Sequence, residues 1–250
     1  MRKEMAPTVF NHTLGILRNI FEFGIRAGAR YNNPASGMMR ETGTGKNPIL
    51  PNNEEFHKFV AEIEGGGGGK SKHCADLVRF MAYGGFRKTG DANMVGSDCD
   101  FERGTIMLRG HPETGLKNRR PGEVRQVPII PEMREFLERL QQERGEAWPT
   151  SSAMRVRECQ KAMDRAAKIV GMSRITHHDL RHLFATRCIE SGVDIPPTVS
   201  RWLGHKVGGA LAMKVYGHLR DQHSVEMAQK VTFSKPQPEN VVPMPDQKSA

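Results

Sequence analysis

From residue 8 to residue 31 apolar side chains recur at helical spacing, with Leu14, Leu17, Phe21 and Ile25 on one stripe, and the run stops at Asn32, Asn33 and Pro34. The spacing predicts one long helix or a bent pair. Residues 42–53, rich in Gly, Thr, Asn and Pro, break the pattern as an interdomain linker does. Helical spacing resumes at about 53–64 and, after the glycine run at 65–69, at about 71–83. Residues 105–109 and 124–130 read as strands, joined by a polar connection that holds His111, Pro112, Gly115, Pro121 and Gly122, so a β-hairpin with an extended tip is expected. Further helices are predicted at about 131–144, 153–170, 178–191, 195–204, 209–217 and 221–230. The tail from Lys235, with Pro236, Pro238, Pro243 and Pro245, reads as disordered or as an extended arm. The pattern as a whole predicts a mainly α protein with a small antiparallel β-sheet (α+β). Its expected parts are a helical segment at 1–41, a linker at 42–53, the main domain at 54–231 and a flexible tail at 232–250.

Composition narrows the function classes. The 250 residues are 37% hydrophobic and 26% charged, which suits a globular chain rather than a disordered one. No stretch approaches the roughly 18 uninterrupted apolar residues of a membrane span, and the first residues lack the apolar core of a signal peptide. The expectation is a cytoplasmic protein with no membrane partner. Cys74, Cys99, Cys159 and Cys188 form no C-x-x-C pair and read as small buried hydrophobes rather than as a disulfide framework or zinc ribbon. With 37 Lys+Arg against 28 Asp+Glu the formal charge is +9, which suggests a polyanionic partner. The basic residues are unevenly spread: residues 103–125 carry Arg103, Arg109, Lys117, Arg119, Arg120 and Arg125 against only Glu113 and Glu123, as a phosphate-tracking surface would.

The segment from His177 to His182 concentrates chemistry at a helix start. Leu180, Leu183, Phe184 and Cys188 form its expected buried side, which leaves His178, Arg181 and His182 to project outward as a basic cluster. Cationic side chains and unpaired N–H groups at a helix N-terminus both favour an anion such as phosphate. A zinc site built from His178 and His182 with His205 or His218 is the competing reading. It lacks an acidic general base, and nearby arginines would repel the cation, so no metal is expected.

Downstream, Leu203-Gly204-His205 is followed by Tyr216, which lies 35 positions after Arg181 and 11 after His205. H-x-L-R-H, then L-G-H, then a tyrosine at this interval resembles the tyrosine recombinase (phage integrase) family. Upstream, Gly84-Gly85-Phe86-Arg87 resembles the context of that family's first arginine, and Lys117 lies where the family places a hairpin lysine. The resemblance spans roughly residues 50–231 and implies a tyrosine recombinase catalytic domain preceded by a truncated helical core-binding segment that helps to clamp DNA.

The resemblance implies a site-specific DNA recombinase or integrase that cleaves and rejoins strands through a 3′-phosphotyrosyl link, without metal, ATP or other cofactor. Double-stranded DNA is the implied partner, with a homo-tetramer on two DNA sites. The implied catalytic residues are Arg87, Lys117, His178, Arg181, His205 and Tyr216. Two guanidiniums match a phosphate in charge and geometry and offset the charge that builds on it during attack. A phenol of pKa about 10 must lose its proton to attack, which suits Tyr216 as nucleophile and His178 as proton acceptor. Lys117 would protonate the departing 5′-oxygen, and His205 would donate to the phosphate or position Tyr216. Arg109, Arg119, Arg120, Arg125, Arg201 and Lys206 are expected DNA contacts.

Two features depart from the family pattern. An acidic residue usually follows the first arginine by three positions, where this chain has Gly90, with Asp91 one step later. The N-terminal segment is also short for a full core-binding domain. These departures favour one alternative, a non-catalytic DNA-binding protein derived from a recombinase; the other, a type IB topoisomerase-like enzyme that relaxes DNA, shares much of the implied catalytic set but rejoins the same strand.

Overall fold

The computed structural model describes residues 5–42, 49–88, 93–109, 123–193 and 198–204. The chain divides into two compact units, residues 1–48 and 49–250. In the first, helix α1 (Pro7–Arg26) starts with Pro7 in its first turn, where a missing N–H costs no hydrogen bond. It ends five residues before the expected limit of 31, where the amides of Ala27 and Gly28 turn back onto the carbonyls of Phe23 and Ile25. A return segment then runs along the helix and is tied to it by polar side chains. Arg18 donates from Nε to Ala35 O at 2.9 Å, Asn33 Nδ2 donates to Glu22 Oε1 at 2.8 Å, and Asn11 exchanges two hydrogen bonds with the backbone of Glu41. Leu14 and Ala35 are the buried apolar contacts of this unit.

The second unit is built from helices around a small sheet. Helix α2 (Asn53–Glu64) opens on a capping box in which the Asn52 side chain accepts from Glu55 N and the Glu55 carboxylate accepts from Asn52 N, both at 2.9 Å. Helix α3 (Ser71–Gly84) packs against it. Then come strands β1 (Cys99–Asp100), β2 (Thr105–Leu108) and β3 (Arg125–Pro128) in an antiparallel sheet of order β1-β2-β3. The hairpin register pairs Ile106 with Val127 and Leu108 with Arg125. Strand β1 was not expected, because two residues are too few to display an alternation.

Helix α4 (Pro131–Arg144) begins on a proline, separated by two residues from the end of β3, where a missing N–H costs no hydrogen bond. Helix α5 (Gln160–Val170) is shorter than the expected 153–170. Residues 153–159 are irregular: Ala153 N bonds to Met94 O at 2.8 Å, and the Arg144 guanidinium donates to the carbonyls of Ser152 and Ala153. Helices α6 (His177–Glu190) and α7 (Ser200–Leu203) complete the described part. The expected helices at 209–217 and 221–230 and the tail lie outside the described residues. No helix among the described residues is long and apolar enough to cross a membrane.

One core joins these elements. Phe59, Ile63, Leu77, Phe80, Phe86, Ile106, Leu108, Met133 and Leu137 are all buried in it, and truncating one of the leucines to alanine would cost about 2–5 kcal/mol. Helix α3 is central, touching α2, α4 and α6. A second cluster, Phe184, Ala185, Cys188, Ile189, Val199 and Leu203, packs α7 against α6. This cluster brings the end of α7 next to the end of α3.

Candidate active site

Helix α6 starts at a second capping box. Thr176 N and Oγ1 donate to Asp179 Oδ2 at 2.8 and 2.7 Å, and Asp179 N donates back to Thr176 Oγ1 at 3.4 Å. The acidic side chain also complements the positive end of the helix. This cap fixes where His178 and Arg181 emerge, one turn apart.

Arg181 does not project outward as expected. It is only 3% exposed, because α6 is buried on several sides, with Arg181, Ala185 and Cys188 as well as Leu180, Phe184 and Ile189 all inside. Its Nη1 donates to Gly85 O at 2.7 Å and its Nη2 to Leu203 O at 2.5 Å. One guanidinium thus links the end of α3, α6 and the end of α7. The carbonyls at helix C-termini lack intrahelical partners, and the planar fork of arginine satisfies two of them at once.

The approach depends on glycine at both helix ends. Gly85 has φ +60°, and a Cβ there would lie 2.5 Å from Phe184 Cδ1 and 2.9 Å from Leu203 Cδ2. Gly204 has φ +68°, and a Cβ there would collide with the Arg125 side chain. Both positions therefore need the left-handed backbone and the missing side chain. Gly85 leads through Phe86, whose ring is 4.4 Å from that of Phe80, to Arg87. The half-buried Arg87 places Nη2 3.5 Å from Gly204 O, a long contact that spans 117 positions of sequence.

Arg125 also belongs to this constellation, and not to the hairpin surface where it was expected to contact DNA. Strand β3 alternates inward and outward, so Arg125 and Val127 face the interior while Gln126 faces out. Arg125 is 3% exposed and its Nη1 donates to Leu203 O at 2.9 Å. The alternation was readable from the sequence, but the basic surroundings of the residue outweighed it. Arg109 is exposed, with Nε 2.8 Å from Oδ1 of the buried Asp98, and Arg201 is exposed on α7.

The histidines of α6 differ in surroundings. His178 is exposed, and its ring meets that of His182 edge to face with centroids 4.6 Å apart. Burial, the neighbouring His178 and Arg181 lower the pKa of His182, against an opposing effect of Asp179. His177 is buried and its Nε2 lies 3.4 Å from the Cys159 amide, from which it accepts, and 3.3 Å from Cys159 Sγ. Burial and then Lys88 push the His177 pKa down to about 4, which keeps the ring neutral and able to accept. Lys88, next to Arg87, pairs with Glu158, whose other oxygen accepts from Gln160 N at 2.8 Å. This pair ties the Arg87 segment to the start of α5, a link that no motif announced.

Burial raises the thiols of Cys99, Cys159 and Cys188 to about 12, so none of these is a nucleophile near neutral pH. Among the described residues no three His, Cys, Asp or Glu side chains are grouped to hold a metal ion. Lys117, Arg119, Arg120, His205, Lys206 and Tyr216 lie outside the described residues, as do Gly90, Asp91 and His218.

Residues 52–223 match the profile of the phage integrase family. Among curated relatives, tyrosine recombinase XerA of Pyrococcus furiosus is 25% identical over 213 residues, covering 79% of this chain and 69% of the relative. Tyrosine recombinase XerC of Lactobacillus delbrueckii subsp. bulgaricus is 24% identical over 238 residues, covering 88% and 75%. The fold resembles that of the Tn1549 transposon integrase solved in complex with a circular intermediate DNA, with TM-score 0.65 and 18% identity over 92% of this chain and 81% of the other. It also resembles the XerA recombinase, with TM-score 0.53 and 20% identity over 92% and 78%.

Proposed function

Because the chain belongs to the phage integrase family, we propose that it is a tyrosine-type site-specific recombinase that acts on double-stranded DNA, with Arg87 and Arg181 as its phosphate-binding cations. The observation that carries this reading is the meeting of guanidiniums from distant segments. Arg181 reaches Gly85, 96 positions away, and Arg87 reaches Gly204, 117 positions away, directly before His205. Gly85 O and Leu203 O accept from Arg181 and Gly204 O accepts from Arg87, and such carbonyl contacts orient a guanidinium without themselves neutralising it. In surroundings largely screened from water such a fixed cation attracts an anion more strongly than a surface arginine does.

The reaction follows from the charges. Attack on a phosphodiester puts additional negative charge on the non-bridging oxygens, and Arg87 and Arg181 stabilise that charge more than the ground state. Tyr216 is the nucleophile: its phenolic oxygen bonds to phosphorus as the 5′-oxygen leaves, and the product is a 3′-phosphotyrosyl link. His178, exposed at the start of α6, takes the phenolic proton. Lys117 donates a proton to the departing oxygen, and His205 donates to a phosphate oxygen. The phosphotyrosyl ester retains the energy of the broken phosphodiester bond, so a 5′-hydroxyl attacks its phosphorus, displaces the Tyr216 phenol and rejoins the strand with no external energy source. Arg109, Arg119, Arg120, Arg201 and Lys206 supply sequence-independent phosphate contacts. The segment at 1–41 serves as a partial core-binding segment, and four copies assemble on two DNA sites in the cytoplasm.

A nicked duplex carrying DNA from beside the gene tests this reading, because the short fragment lost after cleavage traps the intermediate. An adduct stable to denaturant is expected with the wild type and not with Arg181→Ala, although the variant keeps most of its DNA affinity, which resides in dispersed contacts. No adduct from the wild type overturns the reading. Supercoil relaxation without any sequence preference would instead favour the topoisomerase-like alternative.

A further inference from the structure

We propose that Arg125 is a positioning residue for Arg181 and acts through the carbonyl oxygen that the two share. This rests on the assignment of Arg181 as a phosphate-binding cation. Leu203 O accepts from Arg125 Nη1 at 2.9 Å and from Arg181 Nη2 at 2.5 Å, one donor coming from the sheet and the other from α6. A carbonyl oxygen has two lone pairs, and here two guanidiniums occupy it. Each cation limits how far the oxygen can swing toward the other, and repulsion between them opposes collapse of either one onto its neighbour. The resulting position of Leu203 O fixes one arm of the Arg181 fork, while Gly85 O fixes the other.

A purely structural role for Arg125 is a poor account of its chemistry. Its neighbour on the same face of β3 is the buried Val127, and an apolar side chain of similar length fits such a position at no desolvation cost. The close approach is built into the partner segment as well, since the absence of a Cβ at Gly204 leaves the space that the Arg125 side chain fills. The charge and the fork of Arg125 therefore serve the arrangement of α7 against α6.

Single-turnover cleavage by the full-length chain separates this role from a structural one. Two nicked substrates are compared, one with an ordinary scissile phosphate and one with a methylphosphonate, which lacks the charge that Arg181 offsets. Arg125→Met is expected to stay folded, with an unchanged or higher Tm, and to cleave the phosphate substrate roughly ten- to a hundredfold more slowly through misplacement of Arg181. On the methylphosphonate the defect should shrink to about threefold or less, as should that of Arg181→Ala. The double variant should be no slower than Arg181→Ala alone, because the two residues act as one unit. Arg125→Lys, which keeps a donor but not the fork, should fall between wild type and Arg125→Met, and it carries the same comparison should the methionine variant unfold. Wild-type rates in the variants, equal defects on both substrates, or multiplying defects in the double variant would overturn the role of Arg125. An Arg181→Ala protein that cleaves the phosphate normally would instead overturn the underlying assignment of Arg181.

Discussion

Replacing Gly85 with alanine perturbs the point where three segments of the site meet. The backbone there has φ +60°, and holding an L-residue in that conformation costs about 1–2 kcal/mol. The new methyl carbon would also lie 2.5 Å from the buried ring of Phe184 and 2.9 Å from Leu203, and overpacking of this kind costs about 1–3 kcal/mol. The sum is about 2–5 kcal/mol. Gly104 supplies an internal control, since its φ is +63° but a Cβ there meets nothing within 4 Å, so Gly104→Ala should cost only the backbone strain. Urea unfolding of both variants isolates the packing contribution as their difference. Because relief of the clash moves Gly85 O away from Arg181, Gly85→Ala should also cleave a nicked substrate at least about tenfold more slowly, while Gly104→Ala stays near the wild-type rate. Equal destabilisation in the two variants would refute the packing argument. Normal cleavage by Gly85→Ala would refute the link from this carbonyl to the chemistry.

Other substitutions test separate parts of the account. His177 is held near pKa 4 in the folded protein against 6.5 when unfolded, so the unfolded chain takes up a proton first as the pH drops. Native stability should fall between pH 6.5 and 4 by up to about 3 kcal/mol, and His177→Gln should remove that component from a series of urea titrations. An unaltered pH dependence would argue against a neutral buried ring. Thr176→Ala removes the cap of α6 and should cost about 1 kcal/mol in thermal or chemical unfolding, with Thr176→Ser close to wild type. Asp98→Ala leaves the Val95 amide without its acceptor, 3.0 Å away in the wild type, and should destabilise the sheet end by about 1–3 kcal/mol in the same assay.

The helical framework was readable because its apolar spacing is regular. Phe56, Phe59, Val60 and Ile63 mark α2. The irregular 153–159 segment was misread because Ala153, Met154 and Cys159 are buried in the core like helix residues. Apolar content reports burial, and burial alone does not determine backbone shape. The motifs around Arg87 and Arg181 were also visible, whereas their environment was not. Helical spacing placed Arg181 on the outer face and a basic run placed Arg125 on the surface, but both lie inside because backbone carbonyls at two helix ends receive them. A carbonyl acceptor has no identity in a sequence, since every residue carries one. The contact of His177 with Cys159 was hidden for a related reason, because it joins two segments that only the tertiary fold brings together.

The most direct test of the central claim is to digest the trapped protein–DNA adduct with protease and nuclease and to locate the nucleotide by mass spectrometry. The account predicts a single modified peptide, with a 3′-phosphonucleotide on the phenolic oxygen of Tyr216, and no adduct from Tyr216→Phe. A nucleotide on any other side chain, or an adduct that persists in Tyr216→Phe, would contradict it.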